Sequence, residues 1–453
     1  MQSINPATGT PIRTYAPHSD AEVELRIAAA ERAYRDWRFE AVEKRAGYIR
    51  RAAAVLRACR EEFAVLMTRE MGKTIGGARA EIDKCAWLGD YYADEAASFL
   101  NSTLVETDAK ESYVAYRPLG LCLGIMPWNF PFWQAFRFAL PALLAGNGVL
   151  LKHAPSVPGC AVAIEQVFED AGFPDGIFST LLIEANRVGR VIDDRRVATV
   201  SLTGSTRAGK AVAKRAAATL TKTVLELGGS DPYLVLEDAD LDRTVETCVV
   251  SRLINSGQSC IAAKRIIVVE AIRKPFTDRF LERMSEARLG DPMENSTDVG
   301  PLARADLRDE LHDQVERSCA LGAYSPVGGE VPERSGFWYP PTVLTHVRPG
   351  MPAFDEELFG PVAAIIGSRD EGDAIALANQ SPYGLGAAVF TADLERGRAI
   401  AELELEAGAC FVNAFVRSDP RLPFGGIKES GYGRELGVYG LREFTNIKTV
   451  YIG

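Results

Sequence analysis

Cys260 ends a short polar segment that could present a reactive thiol. Residues 255–260 (Asn-Ser-Gly-Gln-Ser-Cys) follow a helical stretch and precede an apolar strand at residues 265–269. Reactive cysteines lie partly exposed where the thiolate can form, whereas structural ones are usually buried and inert. Upstream, Glu226 stands at a predicted strand end before a glycine turn. A nucleophile with a separately placed carboxylate base indicates covalent catalysis on a carbonyl. The alternative is that Cys260, one of eight cysteines, merely packs.

A candidate oxyanion donor lies in the turn at residues 126–131, directly after a predicted strand. Asn129 stands between Pro127 and Pro131, which stiffen the turn. An amide held rigidly there could donate to a developing oxyanion, and such a preorganised donor is worth roughly 3–4 kcal/mol of barrier. The alternative is that Asn129 caps the next helix. The spacing alone leaves both interpretations open.

Small residues at another strand-to-helix turn indicate a nucleotide site. Gly204 and Ser205 open a segment that nearly matches the P-loop pattern, but Ala211 lacks the hydroxyl that would hold magnesium. What remains is a helix N-terminus able to receive a pyrophosphate, or else an ordinary tight turn. Lys152, at the end of an apolar strand, could bond ribose hydroxyls or a phosphate, although a lone lysine is more often at the surface.

Two further segments carry charges that could serve a ligand. Glu357 and Phe359 precede a Gly-Pro turn and could close over a sugar hydroxyl, although solvated acids before a turn are common. Arg137 lies in a very apolar predicted helix at residues 132–145 and therefore needs an anionic partner. That partner could be an internal carboxylate or a substrate, and the residues alone favour the internal salt bridge.

Alternating strands and helices are predicted to position these side chains. Residues 20–100 have a helical composition, with one long helix predicted over 43–70. From residue 113, short apolar strands alternate with helices, and a second alternating region begins near residue 232. This pattern is typical of parallel sheets covered by helices, which bind ligands at the carboxyl ends of the strands. The last segment, 446–452, is a lone predicted strand that must pair somewhere, for example with another subunit.

The composition restricts the class of protein. The 453 residues are 47% hydrophobic and 25% charged, with a net charge of −10, which argues against nucleic acid and anionic membranes as partners. No apolar run is long enough to span a membrane. The four histidines have no ligand spacing, so no metal site is predicted. The eight cysteines form no C-x-x-C pair, which indicates the reducing cytoplasm.

In this order, the motifs resemble the aldehyde dehydrogenase superfamily. The resemblance runs over nearly the whole chain, from INPATG at residues 4–9 to PFGGIKESG at residues 423–431. The segments at 127–134 and 151–155 look most like bacterial NAD(P)-dependent succinate-semialdehyde dehydrogenases. The resemblance implies an α/β aldehyde dehydrogenase-like fold, with two parallel-sheet α/β domains and a small β element for oligomerisation.

The resemblance also implies roles for the candidate residues. Cys260 would form a thiohemiacetal with the aldehyde, Asn129 and the Cys260 N–H would hold its oxyanion, and Glu226 would activate water to hydrolyse the later thioester. The cofactor would be NAD or NADP. Arg137, and more weakly Ser418, would bind a distal carboxylate of the substrate, which replaces the internal salt bridge as the expectation for Arg137. The implied cofactor-binding residues are Trp128, Lys152, Gly204, Ser205, Glu357 and Phe359.

Two of the departures from the family pattern bear on the cofactor and the substrate. NAD-preferring members carry a glutamate three positions after the lysine, and Pro155 stands there in this chain, so NADP should be tolerated. Some relatives place a second carboxylate-binding arginine six positions before the cysteine, where this chain has Ile254. This substitution weakens the case for a carboxylate-bearing substrate.

The favoured prediction is an NAD(P)-dependent dehydrogenase that oxidises succinate semialdehyde to succinate. Another short aliphatic or ω-carboxy aldehyde, a P-loop phosphotransferase and a non-catalytic nucleotide-binding relative are the alternatives. We expect a cytoplasmic homodimer or homotetramer. The expected domains are a dinucleotide-binding domain (1–229, with 113–125 contributing to oligomerisation strands), a catalytic domain (230–430) and a C-terminal oligomerisation strand (431–453).

Overall fold

The chain begins with a short hairpin and four helices. The computed structural model describes every residue from Met1 to Gly453. Ser19 caps the first helix as part of a capping box, since its side chain accepts the Glu22 N–H and the Glu22 carboxylate accepts the Ser19 N–H at 2.6 Å. These elements are β1 (Gln2–Asn5), β2 (Thr10–Thr14), α1 (Asp20–Trp37), α2 (Val42–Ala58), α3 (Arg60–Met71) and α4 (Ile75–Leu100).

The single helix predicted over residues 43–70 is wrong, because the chain bends at Cys59 and forms two helices. Cys59 has φ −99° and ψ 15°, and α3 then packs against α4 and β1. Neither proline nor glycine marks this bend, so the composition of the segment gives no signal for it. Tertiary packing of α3 determines the new direction.

A first α/β unit forms a parallel sheet in the strand order β9-β8-β5-β6-β7. Continuous apolar strands are buried here because helices cover both faces. The elements from residue 103 to residue 226 are β3 (Thr103–Leu104), β4 (Glu111–Pro118), β5 (Leu121–Met126), α5 (Pro131–Leu144), β6 (Gly148–His153), α6 (Pro158–Asp170), β7 (Phe178–Thr180), α7 (Val188–Ile192), β8 (Val197–Thr203), α8 (Thr206–Ala217) and β9 (Lys222–Glu226).

A second α/β unit forms a seven-stranded sheet in the order β12-β13-β14-β11-β10-β16-β17, parallel except for β12. Its elements are β10 (Pro232–Val235), α9 (Leu241–Leu253), β11 (Arg265–Val269), α10 (Glu270–Ser285), α11 (Ala305–Ala320), β12 (Tyr324–Val327), β13 (Thr342–Thr345), α12 (Pro352–Asp355), β14 (Val362–Ser368), α13 (Glu371–Asn379), β15 (Tyr383–Gly384), β16 (Gly386–Phe390), α14 (Leu394–Ala399) and β17 (Ala409–Val412).

The C-terminal segment returns to the first unit. Its elements are β18 (Ile427–Lys428), β19 (Gly431–Tyr432), α15 (Gly437–Glu443) and β20 (Thr445–Ile452). Strand β19 extends the first sheet beside β9, and β20 pairs antiparallel with β4 along its whole length. The lone terminal strand therefore finds its partner within the chain. Of residues 113–125, only the part up to Pro118 joins this small sheet with β3, since β5 belongs to the larger one.

The first sheet and its helices pack tightly. The largest apolar cluster joins α2, α3 and α4 to α5, which is buried along its whole length. The α/β class predicted from sequence is confirmed by these two helix-covered sheets. None of the helices combines the length and the apolarity needed to cross a membrane.

Candidate active site

The Cys260 loop, residues 254–264, connects α9 to β11 in an unusual backbone conformation. Asn255, Ser256 and Gly257 are all left-handed, with φ of 54°, 56° and 75°. A non-glycine residue in this region costs roughly 1–3 kcal/mol, and such strain persists only where surrounding contacts enforce it. Gly257 is also required by space, because a Cβ there would collide with the backbone carbonyl of Gly360.

Buried cationic side chains hold this loop through its carbonyl groups. Arg252 is fully buried and donates to the carbonyl oxygens of Gly257 at 2.7 Å and Ala263 at 3.1 Å. Lys264 Nζ donates to the Cys260 carbonyl at 2.7 Å. The loop geometry is therefore fixed through its carbonyl oxygens, and the Cys260 side chain remains available to a ligand.

Asn129 faces the Cys260 loop from the turn that follows β5. Its side-chain Nδ2 donates to the Gln258 backbone carbonyl at 3.1 Å. The backbone carbonyl of Asn129 in turn accepts a hydrogen bond from Asn255 Nδ2 at 2.8 Å. An amide nitrogen carries two protons, so one remains for a ligand. The Cys260 N–H makes no hydrogen bond within the chain. Asn129 does not cap α5, because Phe130 is the N-cap residue and the Glu81 carboxylate accepts the free N–H groups of the first turn instead.

Cys260 lies between two cavities and, with Gln134, contributes to both. The larger cavity, of about 420 Å³, extends along the carboxyl ends of β5, β8 and β9. The smaller one, of about 210 Å³, lies between α4, α5 and the segment at residues 416–424. A thiol at the junction can contact one molecule in each cavity at the same time.

The Cys260 thiol is partly buried, and this controls its protonation. Burial raises the pKa of the Cys260 thiol to about 12, although the nearby positive charges of Lys264 and Arg137 act in the opposite direction. At neutral pH the free protein therefore carries the neutral thiol. A proton acceptor or an added positive charge must act before the thiolate, which is the nucleophile, can form.

Glu226 ends β9 in a fully buried position. Burial raises the pKa of Glu226 well above its usual value, the charge of Arg137 lowers it, and the carboxyl of Glu435 raises it further. Its Oε1 has no hydrogen-bond partner, and Glu226 lines neither cavity although Leu227 lines the larger one. In its ionised form, a carboxylate of this kind can remove a proton from a water molecule that reaches it.

Five of the six predicted cofactor residues line the larger cavity. The rings of Trp128 and Phe359 meet edge to face at 5.7 Å between centroids. Glu357 Oε1 accepts the Gly229 N–H at 3.1 Å and lies 3.4 Å from Lys264 Nζ. The lining residues from the prediction are Trp128, Gly204, Ser205, Glu357 and Phe359.

Lys152 is the predicted cofactor residue that does not line this cavity. It lies near the carboxyl end of β6, opposite Ile125 on β5, and is therefore at the same sheet edge. Burial lowers the pKa of Lys152, while the Glu184 carboxyl raises it. Its ammonium group forms no ion pair with a carboxylate.

The near P-loop segment does not have P-loop geometry. Lys210 is exposed and binds Glu429 at 2.7 Å, so it does not point toward the cavity. Ser205 is the N-cap of α8 and accepts the Ala208 N–H, and the first turn of that helix carries no acidic residue. The helix N-terminus therefore remains suitable for an anion, with Arg207 beside it in the cavity wall.

Both predicted substrate residues, Arg137 and Ser418, line the smaller cavity. The Arg137 guanidinium forms a buried ion pair with Glu435 and also reaches Thr203 Oγ1 at 3.4 Å. The internal partner that the residues alone favoured therefore exists. Ser418 Oγ accepts a hydrogen bond from Lys84 Nζ at 2.8 Å.

Several residues at the site were not found from sequence. Lys73 reaches the smaller cavity from the turn before α4, Glu81 and Lys84 reach it from α4 itself, and Lys264 supports the Cys260 loop. Lysine and glutamate in an Ala-rich helix resemble a solvated surface, so only the helical spacing of positions 81 and 84 could have placed them on one face. Glu435 had no signal, because its partner Arg137 lies far away in sequence.

Comparison with known proteins matches the whole chain to one family. The model of the aldehyde dehydrogenase family matches residues 1–450. A probable succinate-semialdehyde dehydrogenase [NADP(+)] of Synechocystis sp. is 48% identical over 452 residues, covering 100% of this chain and 99% of the relative. The succinate semialdehyde dehydrogenase [NAD(P)+] Sad of Escherichia coli is 49% identical, covering 99% and 97%.

A solved structure agrees with these matches. The succinic semialdehyde dehydrogenase of Streptococcus pyogenes, in complex with NADP+ as the cofactor, superposes with a TM-score of 0.97 at 38% identity. The alignment covers 100% of this chain and 99% of that one. The predicted resemblance is thus confirmed over the full length, and the chain belongs to the aldehyde dehydrogenase family.

Proposed function

We propose that the protein oxidises succinate semialdehyde to succinate with NAD or NADP as the electron acceptor. The observation that carries this proposal is the position of Cys260 at the junction of two cavities. The larger suits a dinucleotide, and the smaller carries an excess of cationic side chains that suits a short anionic aldehyde. Relatives that are nearly half identical over the full length bear the name of this activity.

The residues of the larger cavity fit a nicotinamide dinucleotide. The N-terminus of α8 and Arg207 can hold the pyrophosphate, and Glu357 retains lone pairs for ribose hydroxyls. Gly228 leaves room beside it, because a Cβ there would force the Glu357 carboxylate to move. Pro155, in the loop after β6, presents no carboxylate to repel a 2′-phosphate, which supports NADP as well as NAD.

The first step is the addition of the Cys260 sulfur to the aldehyde carbon. Because burial raises the pKa of this thiol to about 12, its proton passes to a water molecule as the carbon–sulfur bond forms and the carbonyl π bond opens. The product is a thiohemiacetal whose oxyanion can accept hydrogen bonds from Asn129 Nδ2 and the Cys260 N–H. Both donors are fixed before the substrate arrives, which is what transition-state stabilisation requires.

The second half of the reaction returns Cys260 to its thiol form. When bound, the nicotinamide ring supplies the hydride acceptor that turns the thiohemiacetal into a thioester. Glu226 then removes a proton from the water that attacks the thioester carbon, the carbon–sulfur bond breaks, the departing sulfur takes up a proton, and succinate leaves. Because burial raises the pKa of Glu226, its basic form becomes abundant only at a higher pH than for an ordinary glutamate.

Arg137 and Ser418 are the residues that we propose to interact with the substrate. Both line the smaller cavity, which meets the larger cavity at Cys260. The charge of Arg137 is shared with Glu435, so its contribution to an incoming carboxylate is smaller than that of a free guanidinium.

The test is to follow NADH and NADPH formation by absorbance, with succinate semialdehyde and the uncharged butyraldehyde side by side. We expect a strong preference for succinate semialdehyde in kcat/KM, and loss of all activity in C260A. The C319A variant is the matched control, because Cys319 is also partly exposed but lies on α11 outside both cavities. Equal rates with both aldehydes would contradict the succinate semialdehyde assignment.

We also propose that the protein is a cytoplasmic homodimer or homotetramer. The small sheet of β3, β4 and β20 exposes apolar side chains on one edge strand, including Ile447 at 64% and Tyr451 at 55% exposure. A second copy that covers them would remove this apolar surface from water. All eight cysteines are free thiols, which suits a reducing compartment.

A further inference from the structure

Four cationic side chains line the smaller cavity, and they differ in whether a carboxylate already neutralises them. They are Lys73, Lys84, Arg137 and Arg417. Substrate recognition by charge requires a cation that is free to pair, since a cation in a buried ion pair must first lose or share its partner. The state of each of the four therefore decides which one can bind an anionic aldehyde.

Two of the four already form ion pairs with buried carboxylates. Lys73 forms a buried ion pair with Glu81, whose Oε1 also accepts the N–H groups of Phe132 at 2.8 Å and Trp133 at 2.9 Å. Arg137 forms a buried ion pair with Glu435. These pairs hold the start of α5 and the end of the first sheet in place, and neither offers a full positive charge to a ligand.

Lys84 has no such partner. Its Nζ donates to Ser418 Oγ at 2.8 Å and lies 4.1 Å from the centre of the Trp133 ring. It forms no ion pair with a carboxylate, yet it is largely removed from water, and burial together with the charge of Arg137 lowers the pKa of Lys84 to about 8. An ammonium group carries three protons, so Lys84 retains donor capacity for an oxygen in the cavity.

Arg417, the other unpaired cation, is exposed to solvent at the cavity mouth. An exposed guanidinium is screened by water and salt, and contributes less than a desolvated charge. Ile254 provides an apolar wall in the same cavity, so the charge must come from α4 or from the 416–424 segment. Lys84 and its partner Ser418 join these two elements.

We propose that Lys84, held by Ser418 and the face of Trp133, binds the distal carboxylate of the substrate and is the principal determinant of selectivity for charged aldehydes. Arg137, whose charge is shared with Glu435, then makes the weaker contribution to binding the same carboxylate. This inference rests on the proposed oxidation of succinate semialdehyde and names the group that selects it. The carboxylate would replace water beside the Lys84 ammonium group and accept its remaining hydrogen bonds.

The test compares K84M and K84R with the wild type, using succinate semialdehyde and butyraldehyde. K84M should lower kcat/KM for succinate semialdehyde by about 10- to 100-fold, mainly through KM, as expected for loss of a charge-assisted hydrogen bond. Its kcat/KM for butyraldehyde should stay within about 3-fold of the wild-type value, since an uncharged chain gains nothing from the cation. K84R should recover much of the preference, because it restores the charge.

R417M is the matched control, because it removes the other unpaired cation of the same cavity. We expect it to change the preference less than K84M does. If R417M removed the preference and K84M retained it, the Lys84 assignment would be overturned. Equal losses with both aldehydes in K84M would show a structural role for Lys84 and would also overturn it.

The pH dependence of the wild type gives a test that needs no variant. The groups that face Lys84 are Arg137 on α5, Glu81 and Cys85 on its own helix, and Asp419 in the C-terminal segment. The ratio of kcat/KM values, succinate semialdehyde over butyraldehyde, should fall as the pH rises through the lowered pKa of Lys84. A ratio that stays constant over that range would contradict the inference.

The outcomes also separate the two proposals. A wild type without preference for the charged aldehyde overturns the proposed function and the role of Lys84 together. A wild-type preference that survives in a folded K84M overturns the role of Lys84 alone and leaves the proposed function in place. Circular dichroism and butyraldehyde turnover verify that the variant is folded.

Discussion

The pKa values of Cys260 and Glu226 are both higher than usual, because both side chains lie largely out of water. In the proposed mechanism each must lose a proton to act, the thiol to attack the aldehyde and the carboxyl to activate water. The residue types and the motifs around them were sufficient to propose these roles from sequence. The environment that raises their pKa values was not predictable, because it depends on burial and on Arg137 and Glu435.

We predict that kcat for succinate semialdehyde rises with pH, with a midpoint above the usual pKa of a glutamate. Burial raises the pKa of Glu226, so the basic form that activates water is lost as the pH falls through that raised value. Stopped-flow absorbance can separate the two half-reactions. An initial burst of reduced cofactor should persist at low pH while the later steady rate declines.

A burst and a steady rate that decline together would instead assign the pH dependence to formation of the thioester. A midpoint at the ordinary value for glutamate would remove Glu226 from the role of base.

Among the elements, the left-handed loop after α9 joins the proposed nucleophile, Cys260, to the proposed oxyanion donor, Asn129. Asn255 Nδ2 donates both to the Asn129 carbonyl at 2.8 Å and to the Gln258 carbonyl at 3.0 Å. One side chain thus connects the second α/β unit, which carries Cys260, to the first, which carries Asn129. The distance between these two proposed catalytic groups depends on this connection.

We predict that N255G lowers kcat by about 10- to 100-fold with little loss of stability. Glycine accepts the left-handed backbone at this position, where φ is 54°, so the variant removes only the side-chain hydrogen bonds. A small displacement of catalytic groups can cost up to about 100-fold in rate. Steady-state kinetics and thermal unfolding are the measurements.

N413G is the matched control for this prediction. Asn413 is also left-handed, with φ of 53°. Its side chain forms hydrogen bonds with the backbone of Thr391, and the two residues directly follow β17 and β16 in the second sheet. We expect N413G to retain normal kcat. Unchanged kcat in N255G, or an equal decrease in both variants, would contradict the role of Asn255.

The sequence predicted the alternation of strands and helices in both sheets, because continuous apolar strands and helical periodicity are local properties. It did not predict the bend at Cys59 or the cluster of charges at the start of α4. Both depend on contacts between distant segments, such as Lys84 with Ser418. Lysines at helical spacing look the same in sequence whether they face solvent or a cavity.

At the scale of the whole molecule, β20 crosses back to pair with β4 and leaves an apolar edge. The terminal strand was predicted to need a partner, and the partner is in the same chain. Its exposed residues, including Ile447, Tyr451 and Ile452, still lack cover. This surface is the reason to propose a homo-oligomer.

We predict that I447E weakens or abolishes self-association, because a charge at this position cannot be desolvated cheaply in an apolar contact. Sedimentation velocity measures the change in mass. The control is L220E, since Leu220 is even more exposed, at 93%, but lies in the loop after α8. Unchanged association in I447E would exclude this sheet from the interface, whereas a loss in both variants would indicate a general effect of added charge.

The most direct test of the account is to trap the covalent intermediate in E226Q. Glutamine keeps the shape of the side chain but cannot remove a proton from water, so the thioester should accumulate. After mixing E226Q with succinate semialdehyde and NADP, intact-mass and peptide analysis should find a succinyl group on Cys260 alone, with a burst of NADPH. A burst without any adduct, or an adduct on another cysteine, would contradict covalent catalysis by Cys260.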